Sequence, residues 1–390
     1  MPALMEYLQD FGHLSFAERP FAPPDSLALT QMVYMPMEGL LDEGGSVTVA
    51  ELWAFLAATY PDNFADPFQR KRYLMTKACA QTARFAQLRM MDYVNHIDFD
   101  LETQFCAATF ALPDGSRYIA FRGTDLTLAG WKEDLNMSFM AVPAQQEAVA
   151  YTTRAAGAFA GALLLGGHSK GGHLALYAAA HCAAAVQQRI QSVYRFDGPG
   201  MDEQTLLSDG YARISAKVAS YIPQSSVVGM LLCYHPVFQV VRSNTIGLWQ
   251  HDALTWQVTD GAFEMLEGLD IGTQVADEAL RQWIDRLTME DRRFLTDTVF
   301  RVISALDPET IDPLVQDFTA STVKLFAAFR KLEPETRTRT RRILGDLFSS
   351  GASEAVRHIL PGTFRRREAP SPLAEQVKRK QEEMAGQQDG

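Results

Sequence analysis

Residues Gly167-His168-Ser169-Lys170-Gly171 form a G-x-S-x-G pentapeptide between the apolar run ALLLGG and the helix-like run GGHLALYAAA. That flanking context gives the pattern its meaning. A serine on a sharp strand-to-helix turn is lifted clear of the sheet, and glycines two before and two after let the backbones approach without Cβ clashes. The backbone N–H of Lys170, at the start of the helix, would face a negative charge developing on a substrate oxygen. The chemistry so enabled is acyl transfer through a covalent intermediate on Ser169. The bland alternative is a glycine-rich turn that only packs helix on sheet. Phosphate cradling has no support, because the chain carries neither G-x-x-x-x-G-K-[ST] nor G-x-G-x-x-G. His168 and His173 flank the serine, read best as packing or hydrogen-bonding histidines, and do not have zinc-ligand spacing.

The elements that must carry such a turn follow from the periodicity. QFCAATFAL, a PDGS turn and RYIAFRG predict a hairpin ending at Gly123. Residues 145–160 predict an alanine-rich helix, ALLLGGHS a buried strand and KGGHLALYAAAHCAAAVQQ a helix, followed by the strands SVYRF and AKVASYIP. This alternation predicts an α/β fold with a parallel or mixed sheet between helices. Before it, helices are expected after Asp25, after Ser46 as a cap, and from Pro67 to about Asp92. After Trp256 the strand signals stop, and 262–305, 309–332 and 335–359 read as helices with charged faces. From about Pro361 the low apolar content reads as a disordered tail.

The segment Ala120-Phe121-Arg122-Gly123-Thr124, with Trp131 and Asp134-Leu135 downstream, resembles the oxyanion segment of class 3 lipases. The wider set FRGT, GHSKGGHLALYAA, FDGPG, IPQSSVVGMLL and QHDALTWQV resembles the bacterial Mbeg1-like proteins, an α/β-hydrolase-like family. The resemblance covers roughly residues 1–260. It implies an α/β-hydrolase-like sheet flanked by helices, Ser169 as nucleophile, and an oxyanion hole made by the N–H of Lys170 with the N–H or hydroxyl of Thr124.

α/β-Hydrolases order their triads as serine, acid, histidine, so the base should come late in the chain. His251, in the loop-like QHD after the last strand signals, is favoured over His235, which sits in the apolar run LLCYHPVF. Trp249 and Trp256 flank His251 and could brace its loop or serve as ordinary core aromatics. The acid departs from the lipase pattern, since Ser225 or Ser226 stands where class 3 lipases carry an aspartate. Asp197, ending VYRFD, is the nearest replacement because a carboxylate at that strand edge can reach a loop above the sheet. Asp252 adjoins His251, but neighbouring side chains in an extended loop point apart. A dyad whose imidazole is held by Ser226 or a backbone carbonyl is the remaining alternative.

The 390 residues are long enough for two or three domains, and 47% hydrophobic with 21% charged residues suits a globular chain. A net charge of -11 argues against nucleic acid. Four dispersed cysteines, Cys79, Cys106, Cys182 and Cys233, indicate a reducing compartment, and Glu6 and Asp10 in the opening segment argue against a signal peptide. The expected location is cytoplasmic. The run Arg337, Arg339, Arg341, Arg342 reads as a solvated face, with peripheral contact to an anionic membrane as the sharper alternative. Met230, Leu231, Leu232, Val237 and Phe238 suit an acyl pocket or lid as well as a core.

The combined expectation is an N-terminal helical segment over 1–65, an α/β-hydrolase-like catalytic core over 66–260, a helical C-terminal region over 261–360 and the tail over 361–390. The expected function is a serine hydrolase acting on a small-molecule or lipid ester, without metal or cofactor. The alternative is a hydrolase-like scaffold or interaction protein that has lost an efficient triad.

Overall fold

The computed structural model describes residues 3–41, 45–60, 64, 66–98, 103–124, 142–226, 228–230, 237–245, 247–269, 286–304, 328–347 and 372–386. In chain order the N-terminal part gives α1 (Ala3–Phe11), α2 (Pro23–Met32), β1 (Ser46–Thr48), α3 (Val49–Thr59) and α4 (Pro67–Ala80). There follow β2 (Arg89–Asp98), β3 (Thr103–Ala111), β4 (Arg117–Phe121), α5 (Pro143–Ala158), β5 (Leu163–His168), α6 (Lys170–His181) and α7 (Ala184–Arg189). The chain continues through β6 (Ile190–Phe196), α8 (Glu203–Leu206), α9 (Asp209–Ile214), β7 (Val218–Pro223) and β8 (Gln239–Val241). The last strands are β9 (Val258–Thr259), β10 (Ala262–Phe263) and β11 (Met265–Leu266), and the last helices are α10 (Met289–Ser304), α11 (Pro334–Leu347) and α12 (Pro372–Gly386).

Among the described residues one nine-stranded sheet runs in the order β1-β2-β3-β4-β5-β6-β7-β8-β11. β1 to β4 are antiparallel, β4 to β8 parallel, and β11 returns antiparallel to β8. The alternation of side chains along each strand divides the core in two. Tyr118, Ala120 and Leu164 face the layer of α1 to α4, whereas Ile119, Phe121 and Leu165 face α5, α6 and α9. With both faces covered, the central parallel strands bury nearly all of their residues, as an α/β-hydrolase-like fold requires.

Several elements differ from expectation for identifiable reasons. Residues 3–37 come before the first strand and fold back to cover one face of the sheet, fixed by a fully buried pair in which Arg84 Nη2 lies 2.6 Å from Asp25 Oδ2. Tyr7 Oη donates to Asp25 Oδ1 at 2.7 Å and Ala22 N–H to Oδ2 at 2.8 Å, so that carboxylate is fully engaged. The helix expected to follow Ser46 as its cap starts at Val49. Ser46 lies on β1, and Thr48 is the cap, exchanging bonds with Glu51 in a capping box.

The helix expected to reach Asp92 ends at Ala80. Residues 89–98 instead pair on both edges, with β1 and with β3, which satisfies their backbone laterally. β9, β10 and β11 follow Trp256, where only helix was expected; the first two are joined at Asp260-Gly261, both with positive φ (52° and 76°), the geometry of a tight hairpin turn. The expected disordered tail contains α12, which packs Val377 into the core beside α9 and places Lys380 Nζ 2.7 Å from Asp209 Oδ1. Much of the helical region expected over 261–360 lies outside the described residues.

Candidate active site

β5 delivers its last residue, His168, to the sheet edge, and Ser169 turns the chain at φ 58°, ψ −131° before α6 begins at Lys170. This left-handed conformation strains a residue with a side chain and is held by its surroundings. Ser169 N–H donates to Phe196 O at 2.9 Å, tying the turn to β6. A Cβ on Gly171 would strike the carbonyl oxygen of Phe121, and one on Gly167 would strike Gly171 itself. The two motif glycines are therefore what let β5, α6 and the end of β4 meet.

One strand over, Asp197 leaves β6 with a second positive φ, 45°, and its N–H donates to Tyr221 O at 2.8 Å. Its carboxylate is 1% exposed and faces three donors. Oδ1 accepts the Ser226 hydroxyl at 2.5 Å and Gly229 N–H at 3.1 Å, while Oδ2 stands 2.7 Å from His251 Nδ1. Arg195, fully buried, donates to Gly198 O, to Pro199 O at 2.5 Å and to Ser220 Oγ at 3.0 Å, bracing the turn after the aspartate. Burial pushes that guanidinium down to about 10.

His251 ends a 3-10 turn over Gly247–His251, and its Nε2 lies 2.9 Å from Ser169 Oγ. A carboxylate can only accept, so Nδ1 carries the proton and Nε2 is free to take the serine hydroxyl hydrogen. The loop is pinned on several sides. Trp256 Nε1 donates to Gln250 O at 2.8 Å, Gln250 Oε1 accepts Ser225 N–H at 2.8 Å, and Lys71 Nζ of α4 lies 2.6 Å from Asp252 Oδ2. Trp249, half exposed, stacks on Phe68 of α4 at 6.2 Å. His251 keeps 29% of its side chain open to solvent, so the pair it makes with Ser169 is reachable.

The sequence-predicted residues thus separate cleanly. Ser169, His251 and Asp197 lie within hydrogen-bond reach of one another in series. Asp252 turns to Lys71 and to Leu254 N–H at 3.2 Å. Ser226 does not touch the imidazole but holds the far oxygen of Asp197. The Lys170 N–H starts α6, and its buried side chain donates to Gln104 O at 2.8 Å. Thr124 follows Gly123, where a Cβ would strike the Tyr34 hydroxyl and the His168 carbonyl oxygen. His235, Trp131, Asp134 and Leu135 lie outside the described residues, as do Leu231 and Leu232. Val237 is exposed, and Phe238 packs beside Ile222 and Val240.

His173 is structural. Its Nδ1 stands 2.7 Å from Gly200 O and its Nε2 2.7 Å from Gln145 Nε2, which joins α5 to the turn after Asp197. Burial pushes this imidazole down from its ordinary 6.5 to about 4. The folded chain therefore binds fewer protons than the unfolded chain between these values, and stability present above pH 6.5 is lost as pH falls toward 4. The full contribution is about 3 kcal/mol. Thermal melts from pH 7 to 4 should show a shallower decline for His173→Gln than for the native protein; parallel declines would contradict this.

Among the described residues no cluster of histidine, cysteine, aspartate and glutamate suits a metal ion, and no helix is long and apolar enough to cross a membrane. Cys79, Cys106 and Cys182 are buried, and the Cys106 thiol donates to Val33 O at 3.7 Å. Arg339 of the arginine run pairs with Asp291 at 2.8 Å and Glu290 at 2.9 Å, joining α11 to α10.

A family profile described as Mbeg1-like matches residues 79–301, so the chain belongs to that family. No curated protein matches the sequence. The solved structure of M37 lipase aligns at 14% identity over 54% of this chain and 70% of that one, with a TM-score of 0.35, a likeness too loose to bear on function.

Proposed function

We propose that this member of the Mbeg1-like family is a serine ester hydrolase whose triad is Ser169, His251 and Asp197. The observation that carries this reading is the series Asp197 Oδ2 to His251 Nδ1 at 2.7 Å and His251 Nε2 to Ser169 Oγ at 2.9 Å. Both distances fall within the reach of general-base catalysis.

In this reading Ser169 Oγ attacks the ester carbonyl carbon while its proton passes to His251 Nε2. The carbonyl electron pair moves onto oxygen, and in this reading the Lys170 N–H and Thr124 donate hydrogen bonds to the resulting oxyanion. Collapse of the tetrahedral adduct breaks the bond to the alkoxy group, which leaves with the proton from Nε2. Water then repeats the sequence on the acyl-serine, with Nε2 again base and then acid, releasing the carboxylic acid. Asp197 fixes the tautomer and stabilises the transient imidazolium. It does not itself take the proton.

The substrate class is an ester of a small molecule or lipid, and the site of action the cytoplasm. Against the alternative of a scaffold without an efficient triad stands the Asp197 carboxylate 2.7 Å from His251 Nδ1. Short-chain p-nitrophenyl esters should be turned over with a burst of about one nitrophenol per chain where deacylation is slow. Asp197→Asn should lower kcat by about 10²-fold or more, because asparagine stabilises the imidazolium less and can hold the wrong tautomer. A native-like rate in that variant, or no ester turnover by the native protein, would sink the reading.

A further inference from the structure

Tyr34 lies just after α2, far in sequence from the nucleophile turn, yet its hydroxyl stands between the oxyanion segment and the base loop. Gly123 N–H donates to Tyr34 Oη at 2.9 Å. The same oxygen lies 3.4 Å from His168 Nδ1, and His168 Nε2 lies 2.7 Å from the carbonyl oxygen of His251. The Tyr34 hydroxyl also lies 3.5 Å from the backbone carbonyl oxygen of His168, so both acceptors it faces belong to that one residue. The His251 carbonyl only accepts, so His168 Nε2 carries the proton and Nδ1 is bare; Tyr34, receiving the Gly123 N–H, can aim its own proton at that nitrogen.

Two further contacts hold the series in place. The Arg72 guanidinium carbon sits 4.0 Å over the Tyr34 ring, and Arg72 Nε donates to Gln31 Oε1 at 2.9 Å, which fixes the phenol against α4. His168 is buried, and its ring lies 4.7 Å from that of His251. Burial, then the neighbouring His251 and Arg72, holds His168 well below its ordinary range, so the neutral tautomer persists.

We propose that Tyr34 and His168 are positioning residues that form a strut between the Gly123-Thr124 segment and the main chain of His251, setting oxyanion donor and base on either side of Ser169 as one unit. Neither residue touches the reacting atoms. The catalytic consequence rests on the hydrolase reading, whereas the coupling does not. A misplacement of about 1 Å in such a constellation can cost orders of magnitude in rate.

The test uses the full chain with Tyr34→Phe, His168→Leu and His168→Gln, reading backbone amide resonances together with kcat and KM on a short-chain ester. Tyr34→Phe keeps the ring under Arg72 and should still shift the amide of Asp252, which follows the His251 carbonyl. His168→Leu should shift the amide of Gly123. Both should lower kcat about tenfold with KM within about twofold, and His168→Gln, which retains a donor near the Nε2 position, should recover most of the loss. Shifts confined to residues touching the replaced side chain, or an unchanged kcat, would overturn the proposal. The amide arm reads the coupling whether or not an ester is the substrate, so its failure is separate from failure of the hydrolase reading.

Discussion

Ser169→Ala should reduce ester turnover by about 10⁵-fold or more while the protein remains folded. Alanine removes only the oxygen, and its Cβ occupies the φ 58° turn as serine does, so the melting temperature should stay within a few degrees of native. What remains is an oxyanion site without a nucleophile, able to bind an ester but not to form the acyl intermediate. Retention of more than about a hundredth of native kcat would place the chemistry on another residue.

His251→Ala should produce a loss of the same order, because residues acting as one unit fail together. Its effect on folding should be small and of known origin. The buried Asp197 carboxylate loses one donor but keeps the Ser226 hydroxyl and Gly229 N–H, so the expected destabilisation is about 1 to 2 kcal/mol. Because Asp252 is engaged by Lys71 and Leu254, Asp252→Asn should leave kcat nearly unchanged in the same assay. A larger loss from Asp252→Asn than from Asp197→Asn would reverse the acid assignment.

Much of the site's frame was legible because it depends on local chemistry. The pair Gly167 and Gly171, the apolar strand before Ser169 and the helix after it fix the turn within a dozen residues. The two runs around PDGS likewise predict the β3-β4 hairpin, and it is found. Asp197 could be chosen from its place at the end of a buried strand, and Asp252 set aside because side chains of adjacent loop residues point apart, but neither local argument shows what the two carboxylates touch. Only the tertiary positions of Ser226, Gly229 and Lys71 show which carboxylate faces the imidazole.

Tyr34, Gln250 and Arg195 were missed for the same reason, since each acts across long sequence separations or from inside a core-like run. Burial patterning also misled at the N-terminus. Leu27, Leu29 and Met32 read as an ordinary helix, whereas α2 is buried all round, and that alone marks it as part of the sheet's cover. The Asp260-Gly261 pair, by contrast, is itself a local hairpin-turn signal, of the Asp-Gly type that a tight two-residue turn favours.

The central claim is that Ser169 is a nucleophile activated by His251, and covalent labelling tests it most directly. A fluorophosphonate reacts when an activated serine oxygen displaces fluoride from phosphorus, so the folded protein should gain one phosphonyl group on the peptide containing Ser169. The account predicts that this mass shift appears in the native chain, is lost in Ser169→Ala and falls sharply in His251→Ala. Labelling that persists in Ser169→Ala, or a native chain that resists the probe at concentrations modifying other serine hydrolases, would contradict it.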